Sequence, residues 1–213
     1  MSKRITVVGD VHGDKRFISA LPPHSIQLGD FDLYGYQTPC VFNSPRYFVD
    51  GNHDKFSMLN VNAERPYEVA HNLFHIPRGY ISGKVLFLGG GDSIDKHLRI
   101  EGISWFSDEM ISREQLDTIG EKVKDKKIEV VIAHEAPHFA LSGIQMPYGG
   151  KKMLTPVSLA LEEIFGMVHP SLSIFGHYHM DLDFISRGCR FLCLNIGATL
   201  DIDLPIGDLE QQK

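Results

Sequence analysis

Side chains able to hold a metal or move a proton recur through this sequence in short groups. They are Asp10 and His12 in GDVHG, Asp30 in GD, Asn52, His53 and Asp54 in GNHD, His134 in AHEAP, and His177 and His179 in GHYH. Carboxylates, imidazoles and an amide oxygen without thiolate form a mixed oxygen and nitrogen donor set. Such a set suits Mn, Fe, Zn or Ni rather than an iron–sulfur or thiolate-zinc site. Asp10, His12, Asp30, Asn52, His134, His177 and His179 offer more ligands than one tetrahedral ion needs. With one carboxylate shared, they would serve two ions about 3.5–4 Å apart, an arrangement that orients a hydroxide for in-line attack at phosphorus.

The stretch AHEAPH raises a competing chemistry, because His134, Glu135 and His138 have the H-E-x-x-H spacing of zinc proteases. That motif works only on a helix, where the two imidazoles share a face. The preceding KIEVVIAH is a Val/Ile-rich run of buried-strand character,. Pro137 would cost roughly 3 kcal/mol inside a helix and pushes Ala136 toward extended geometry. His134 is therefore expected at a strand end, without protease roles for Glu135 and His138.

Short β-rich runs, several ending in glycine and a polar residue, must position these groups: RITVVGD (4–10), SIQLGD (25–30), RYFVDGN (46–52), KVLFLGGGD (84–92), EVVIAH (129–134) and LSIFGH (172–177). Each reads as a buried strand whose C-terminal end delivers a donor or acceptor into a shared crevice. If the chain stays extended past the strand, Asp10 and His12 share a face, as do His177 and His179. Helices are predicted over 112–127, with Ser112 and Gln115 forming a capping box, and over 155–168, with Pro156 in the first turn. Hairpins are predicted at Gly83 and at Arg187-Gly188. The long polar segments 91–110 and 142–156 follow strand ends and are the candidate substrate-contacting loops.

At 213 residues, 43% hydrophobic and 23% charged, the chain fits one domain spanning 1–213,. A net charge of −6 leaves no global basic footprint for duplex nucleic acid or an anionic membrane,. Cys40, Cys189 and Cys193 form no CxxC pair, so a reducing cytoplasm fits better than a disulfide framework. Cys189 and Cys193, four residues apart on a strand, should face the core together. No run approaches the ~18 apolar residues of a membrane span, and the N-terminus lacks the pattern of a secretory leader. The oligomeric state is left open. His24, His71, His75, His97, His138 and His169 read as ordinary surface, loop or core residues, and Lys151 and Lys152 as part of a solvated loop.

GDVHG, GD, GNHD, AHEAP and GHYH, in that order, resemble the calcineurin-like metallophosphoesterase family, and the similarity runs from residue 5 to about 197. The resemblance implies an α/β fold: a two-sheet β-sandwich flanked by helices (α/β/β/α), with both metals at one end of the sheets. By motif, Asp10, His12, Asp30 and His179 would hold one ion, and Asp30, Asn52, His134 and His177 the other. Asp30 would bridge them, and the two divalent ions would be Mn, Fe, Zn or Ni, with Mn favoured. His53 matches the family's histidine over the phosphate, which protonates the leaving oxygen or stabilises developing charge. The nucleophile would be the metal-bridging hydroxide, acting on phosphodiester or phosphomonoester bonds of a phosphorylated small molecule or nucleotide. NIGAT (195–199) resembles the family's turn after the last hairpin.

The second motif reads GDFDLYG and lacks the phosphate-binding Arg of the protein Ser/Thr phosphatase branch, and GNHD replaces GNHE. A protein Ser/Thr phosphatase is thus an alternative, as is a non-catalytic metal-binding scaffold module. The stretch 89–109 resembles a Ser-x-Asp, Arg, Gly, Trp, Glu pattern of a bacterial and phage-type subgroup. In that pattern Arg99 is a candidate phosphate contact, and Trp105 a loop anchor or base-stacking surface.

Overall fold

The strands alternate between two cores. In a computed structural model, which describes residues 2–32, 41–93, 95–144 and 154–209, successive side chains of one strand enter different hydrophobic layers, as the two-residue period of a strand requires. One sheet has the order β11-β1-β2-β3-β4 and the other β5-β6-β7-β8-β10-β9. The first is built from β1 (Lys3–Val8), β2 (Ile26–Gln27), β3 (Val41–Phe48), β4 (Tyr67–His75) and β11 (Thr199–Leu204). The second comprises β5 (Tyr80–Ser82), β6 (Val85–Leu88), β7 (Val130–Ala133), β8 (Leu172–Phe175), β9 (Leu182–Ser186) and β10 (Cys189–Cys193).

Val7, Ile26, Leu28 and Tyr47 from the first sheet meet Val85, Phe87, Val130, Ile132, Ile174 and Leu192 from the second in a central core. The intervening residues Leu86, Leu88, Val131, Ala133, Phe175 and Phe191 turn outward. They pack under α2 (Arg113–Val123) and α3 (Pro156–Val168) through Leu116, Ile119, Leu161, Ile164 and Phe165. On the opposite face Val8, Phe48 and Leu73 pack against Ile18 of the short α1 (Lys15–Ser19). The result is the predicted helix-flanked two-sheet sandwich.

Strands β1, β2, β3 and β4 pair in parallel, as do β6, β7, β8 and β10. Their C-terminal ends therefore face one rim, and the loops after them carry the motif residues. Both predicted helices form, with the capping boxes Ser112/Gln115 and Thr155/Ser158. The hairpins turn at Gly83 and at Arg187-Gly188, where both central residues have positive φ (47° and 80°), the type I′ geometry that matches strand twist. Cys189 and Cys193 are buried free thiols in the same helix-side core, and burial pushes Cys189 up to about 12. Cys40, Lys151 and Lys152 lie outside the described residues, as does most of the segment 142–156. Among the described residues no helix is long and apolar enough to cross a membrane.

Phe191 is the centre of the helix-side core. Its ring contacts those of Phe139, Phe165, Phe175 and Phe184 at centroid distances of 5.7, 5.9, 6.2 and 5.3 Å, and it is fully buried. Phe191→Ala is expected to cost roughly 3–5 kcal/mol through lost burial and a residual cavity. A loss under about 1 kcal/mol in urea unfolding would contradict this packing.

Candidate metal centre

The motif side chains converge on one rim from five strand ends. Asp10 and Asp30, both buried, lie at the centre and are surrounded by imidazoles. His12 Nε2 stands 3.8 Å from Asp10 Oδ2 and 3.7 Å from Asp30 Oδ2. It also lies 2.9 Å from His179 Nε2, which in turn is 3.3 Å from Asp10 Oδ2. Donor atoms of Asp10, His12, Asp30 and His179 all fall within 4.8 Å of one another. The other oxygen of Asp30 faces the opposite way: Oδ1 is 3.4 Å from His134 Nε2. His134 Nε2 is also 3.1 Å from Asn52 Oδ1 and 3.2 Å from His177 Nδ1. Asp30 thus presents one oxygen to each of two groups of donors.

The motif residues meet at one rim, but the backbone reaches it differently from the extended chain expected. His12, Asp30, His177 and His179 have φ of 44°, 56°, 65° and 53°, a left-handed region that bulky residues seldom occupy. The chain turns at these positions, so His177 joins His134 while His179 joins His12 and Asp10, and the pair does not share one face. Such strain concentrates at sites whose surroundings over-determine it. Here the turn at His177 aims its main-chain N–H at Asp10 (3.0 Å to Oδ2), while His53 N–H, from a turn without positive φ, donates to Asp30 Oδ1 (2.8 Å).

Two glycines make the approach sterically feasible. A Cβ at Gly51 would stand 2.2 Å from Asp30 Oδ1, and one at Gly176 2.1 Å from Asp10 Oδ1. The glycine of GNHD and that of GHYH therefore leave room for the carboxylate of a neighbouring strand. The NIGAT turn supports the same corner, with Gly197 N–H donating to the Asp10 carbonyl at 2.8 Å and Gly9 N–H to the Ala198 carbonyl at 2.9 Å.

The donor set fits a cation. His134 Nδ1 lies 2.8 Å from the Leu28 carbonyl, so that nitrogen carries the proton and Nε2 faces Asn52 Oδ1 and Asp30 Oδ1. Three electron-rich atoms within 3.4 Å require either a proton or a metal between them. Burial opposes charge on His134, but Asp30 and Asp10 outweigh it and raise the imidazole to about 9. A divalent ion would take the place of that proton. Burial, reinforced by His134, drives His177 down to about 3, which leaves its ring neutral, the form a ligand needs. Burial pushes Asp54 up to about 8, while the side chain accepts from Gly51 N–H and Asp32 N–H at 2.8 Å each.

His53 borders a cleft of about 350 Å³ together with Asn52, Lys55, Arg99, Ile103, Ser104 and Phe106. Burial lowers its pKa; Asp30 acts in the opposite direction and Arg99 adds to the lowering. Arg99 Nη2 is 3.4 and 3.5 Å from the two ring nitrogens, and its Nε pairs with Asp95 at 2.9 Å. Phe106 lines this cleft, whereas Trp105 bridges to Glu101 within its own loop. In AHEAPH the strand ends at Ala133 and His138 opens a separate 3-10 turn. Glu135 accepts from Asp92 N–H and the Thr155 hydroxyl, so it fastens the start of α3 and has no role as a protease base.

Sequence patterns missed a buried scaffold behind the rim. Asp50, two residues before Asn52, is paired with Arg78 (Nη2–Oδ2 2.6 Å) and His75 (Nε2–Oδ1 3.0 Å). Arg78 also donates to the carbonyls of Asp108 and Met110 at 2.7 and 2.9 Å. The only advance signal was Asp50 itself, a charged residue ending an apolar strand.

A family model of calcineurin-like phosphoesterases matches residues 3–181. The chain belongs to that family. Metal-dependent phosphoester hydrolysis is thus its activity at the family level, and the cluster of Asp10, His12, Asp30 and His179 suits divalent metals. Among solved structures, one aligns with a TM-score of 0.58 at 12% identity, covering 94% of this chain and 95% of its own. GAP50, described as the anchor in the inner membrane complex of Plasmodium, aligns with a TM-score of 0.50 at 13% identity, over 92% and 72%. The phosphopantetheinyl hydrolase of Mycobacterium tuberculosis aligns at 0.46 and 13%, over 91% and 89%. The first two likenesses show the fold alone. No curated protein matches the sequence.

Burial would raise Asp50, but Arg78 and then His75 more than offset it and hold its carboxyl well below the usual carboxylate range. A depressed carboxylate contributes stability that is complete above the unfolded pKa of about 4 and is lost as pH falls toward the folded value. Asp50→Asn should cost roughly 3–5 kcal/mol at pH 7, because it leaves Arg78 buried without its partner. Urea titrations from pH 7 to pH 3 should show the gap to wild type narrowing below about pH 4; a constant gap would contradict the pairing.

Proposed function

We propose that the chain hydrolyses phosphodiester or phosphomonoester bonds of small phosphorylated molecules or nucleotides, with two divalent ions, Mn favoured, held at the rim. One observation carries the reading: the two oxygens of buried Asp30 face two separate donor groups. Asp10, His12, Asp30 and His179 would hold one ion, and Asp30, Asn52, His134 and His177 the other. When bound, the ions supply a water of lowered pKa and positive charge for the phosphoryl oxygens.

The protein's own groups do the positioning. Buried Asp10 and Asp30, fixed by main-chain N–H donors, set the spacing. His53 projects into the cleft, where it hydrogen-bonds the phosphoryl or leaving oxygen as the new P–O bond forms and the old one breaks. Arg99, held by Asp95 beside His53, supplies a further cation for phosphate. Ile103 and Phe106 add apolar surface to the lining of the cleft, which supports a substrate bearing an organic substituent. Two buried free thiols support the cytoplasm as its compartment,.

The sandwich alone does not separate enzyme from scaffold, since GAP50 is described as an anchor; His53 beside a complete donor set favours the enzyme. His53→Ala should cut turnover of bis-p-nitrophenyl phosphate or p-nitrophenyl phosphate with Mn²⁺ by about 10²–10⁴ while metal content is retained, whereas Asp30→Asn should weaken uptake of both ions. Equal metal loss in the two variants would refute the role of His53. Absence of wild-type hydrolysis, together with indifference to His53→Ala, would favour the scaffold.

A further inference from the structure

Asn52 differs from the other candidate ligands because its amide has two unlike ends. Only Oδ1 can coordinate a metal; Nδ2 carries two hydrogens and would repel one. The shape of the amide does not choose between the two orientations, so a neighbour must. Asn52 Nδ2 donates to Ser93 Oγ at 3.0 Å, and Ser93 Oγ donates to Glu109 Oε2 at 2.6 Å. The other carboxylate oxygen, Oε1, accepts Phe106 N–H at 3.2 Å. All three side chains are buried.

We infer that Ser93 and Glu109 are positioning residues that fix the direction of this hydrogen-bond chain and thereby turn the amide oxygen of Asn52 toward His134 and the second ion. This rests on the two-ion reading above. The direction follows from donor and acceptor arithmetic. Burial pushes the Glu109 carboxyl up to about 7, while the Ser93 hydroxyl, the Phe106 N–H and Arg99 favour its charged form; above that pH Glu109 is acceptor-only, and the main-chain N–H of Phe106 can only donate. The Ser93 hydrogen must then point to Glu109, which leaves its lone pairs for Asn52 and obliges the amide to present Nδ2. With Gln at position 109, Oε1 would keep the Phe106 N–H and the amide nitrogen would donate to Ser93. The hydroxyl hydrogen would then turn toward Asn52 and select the inverted amide.

Glu109 is itself held in place from behind. Its carbonyl accepts Gly91 N–H at 3.1 Å, and Arg78 grips the carbonyls of Asp108 and Met110 on either side. Asp50, the partner of Arg78, ends the strand that delivers Asn52. The segment 107–110 and the Asn52 loop therefore share one anchor, which fixes the distance that Ser93 spans. His134 needs no such relay, because Leu28 already sets its tautomer.

The test is a double-mutant cycle read by calorimetric titration of Mn²⁺ into the metal-free protein, at a pH about one unit above the value to which burial raises Glu109,. Ser93→Ala and Glu109→Gln should each weaken the second ion by about 10–100-fold, the usual effect of losing an outer hydrogen-bond partner, and leave the first within about twofold of wild type. Asn52→Asp supplies two equivalent oxygens and needs no orientation. In that background Ser93→Ala should change second-ion affinity by less than about threefold, an interaction that only a coupled pair would show.

Equal losses in both backgrounds, or equal loss of both ions, would reduce Ser93 to a structural residue and overturn the inference. So would a Ser93→Ala protein that takes up two ions as wild type does. If Ser93→Ala fails to fold, Glu109→Gln runs through the same cycle with the same criteria. A wild-type protein that takes up one ion only would overturn the two-ion reading and this inference with it; two ions in wild type with indifferent variants would overturn this inference alone.

Discussion

Two carboxylates, Asp10 and Asp30, are withdrawn from water at the ends of adjacent parallel strands, and most of the molecule's unusual geometry answers the cost of doing so. A buried anion is tolerated only when paired and hydrogen-bonded. Main-chain N–H groups from the His53 and His177 turns supply hydrogen bonds, and four imidazoles surround the pair. The His177 N–H is available because the chain turns into left-handed conformation as it leaves its strand. The glycines of the motifs let neighbouring strand ends approach closely enough for one loop's N–H to reach another loop's carboxylate. Strain, glycine placement and charge are thus one arrangement, held rigid by the two-sided core beneath.

That core was legible in the sequence to the extent that its period was. Runs such as KVLFLGG and EVVIAH feed alternate residues to the inter-sheet and helix-side layers, and apolar residues at every position are what two buried faces demand. The capped helices and the Arg187-Gly188 hairpin were equally readable, because their signals are local. Strand β4 was missed: YEVAHNLFH interleaves His71, Asn72 and His75 with apolar residues, and its role depends on an edge position that only the assembled sheet defines. Short α1 and the final strand β11 escaped for similar reasons.

The candidate site was legible as a set of residues and illegible as a geometry. Spacing identified Asp10, His12, Asp30, Asn52, His53, His134, His177 and His179, all of which reach the rim. Reading His177 and His179 as two residues on one extended face failed, since periodicity carries no information about a chain that has left its strand. Asp50 and Arg78 were not singled out for the site because each acts through partners distant in sequence, and Ser93 and Glu109, the first and last residues of the pattern noted over 89–109, were given no role there for the same reason. Ser93 meets Asn52 across 41 residues, and no local pattern reports such a pairing.

The two halves of the site consequently differ in how they are specified. Asp10, His12, Asp30 and His179 offer carboxylates, whose two oxygens are equivalent, and imidazoles that answer to the nearby charge, so electrostatic attraction alone draws these groups toward a cation. The other half includes a neutral amide whose wrong end fits the space equally well, and attraction to a cation arrives too late to place it if the hydrogen bonds behind it have already chosen. Orientation there must be settled by the fold, through the Ser93 hydroxyl, the Glu109 carboxylate and the Arg78–Asp50 pair that holds the segment 107–110 against the end of β3. A buried ion pair contributes little net stability against an apolar replacement. Its retention here, with an arginine satisfied by three carbonyl-bearing residues and a carboxylate, is better accounted for by the direction it imposes than by the free energy it contributes.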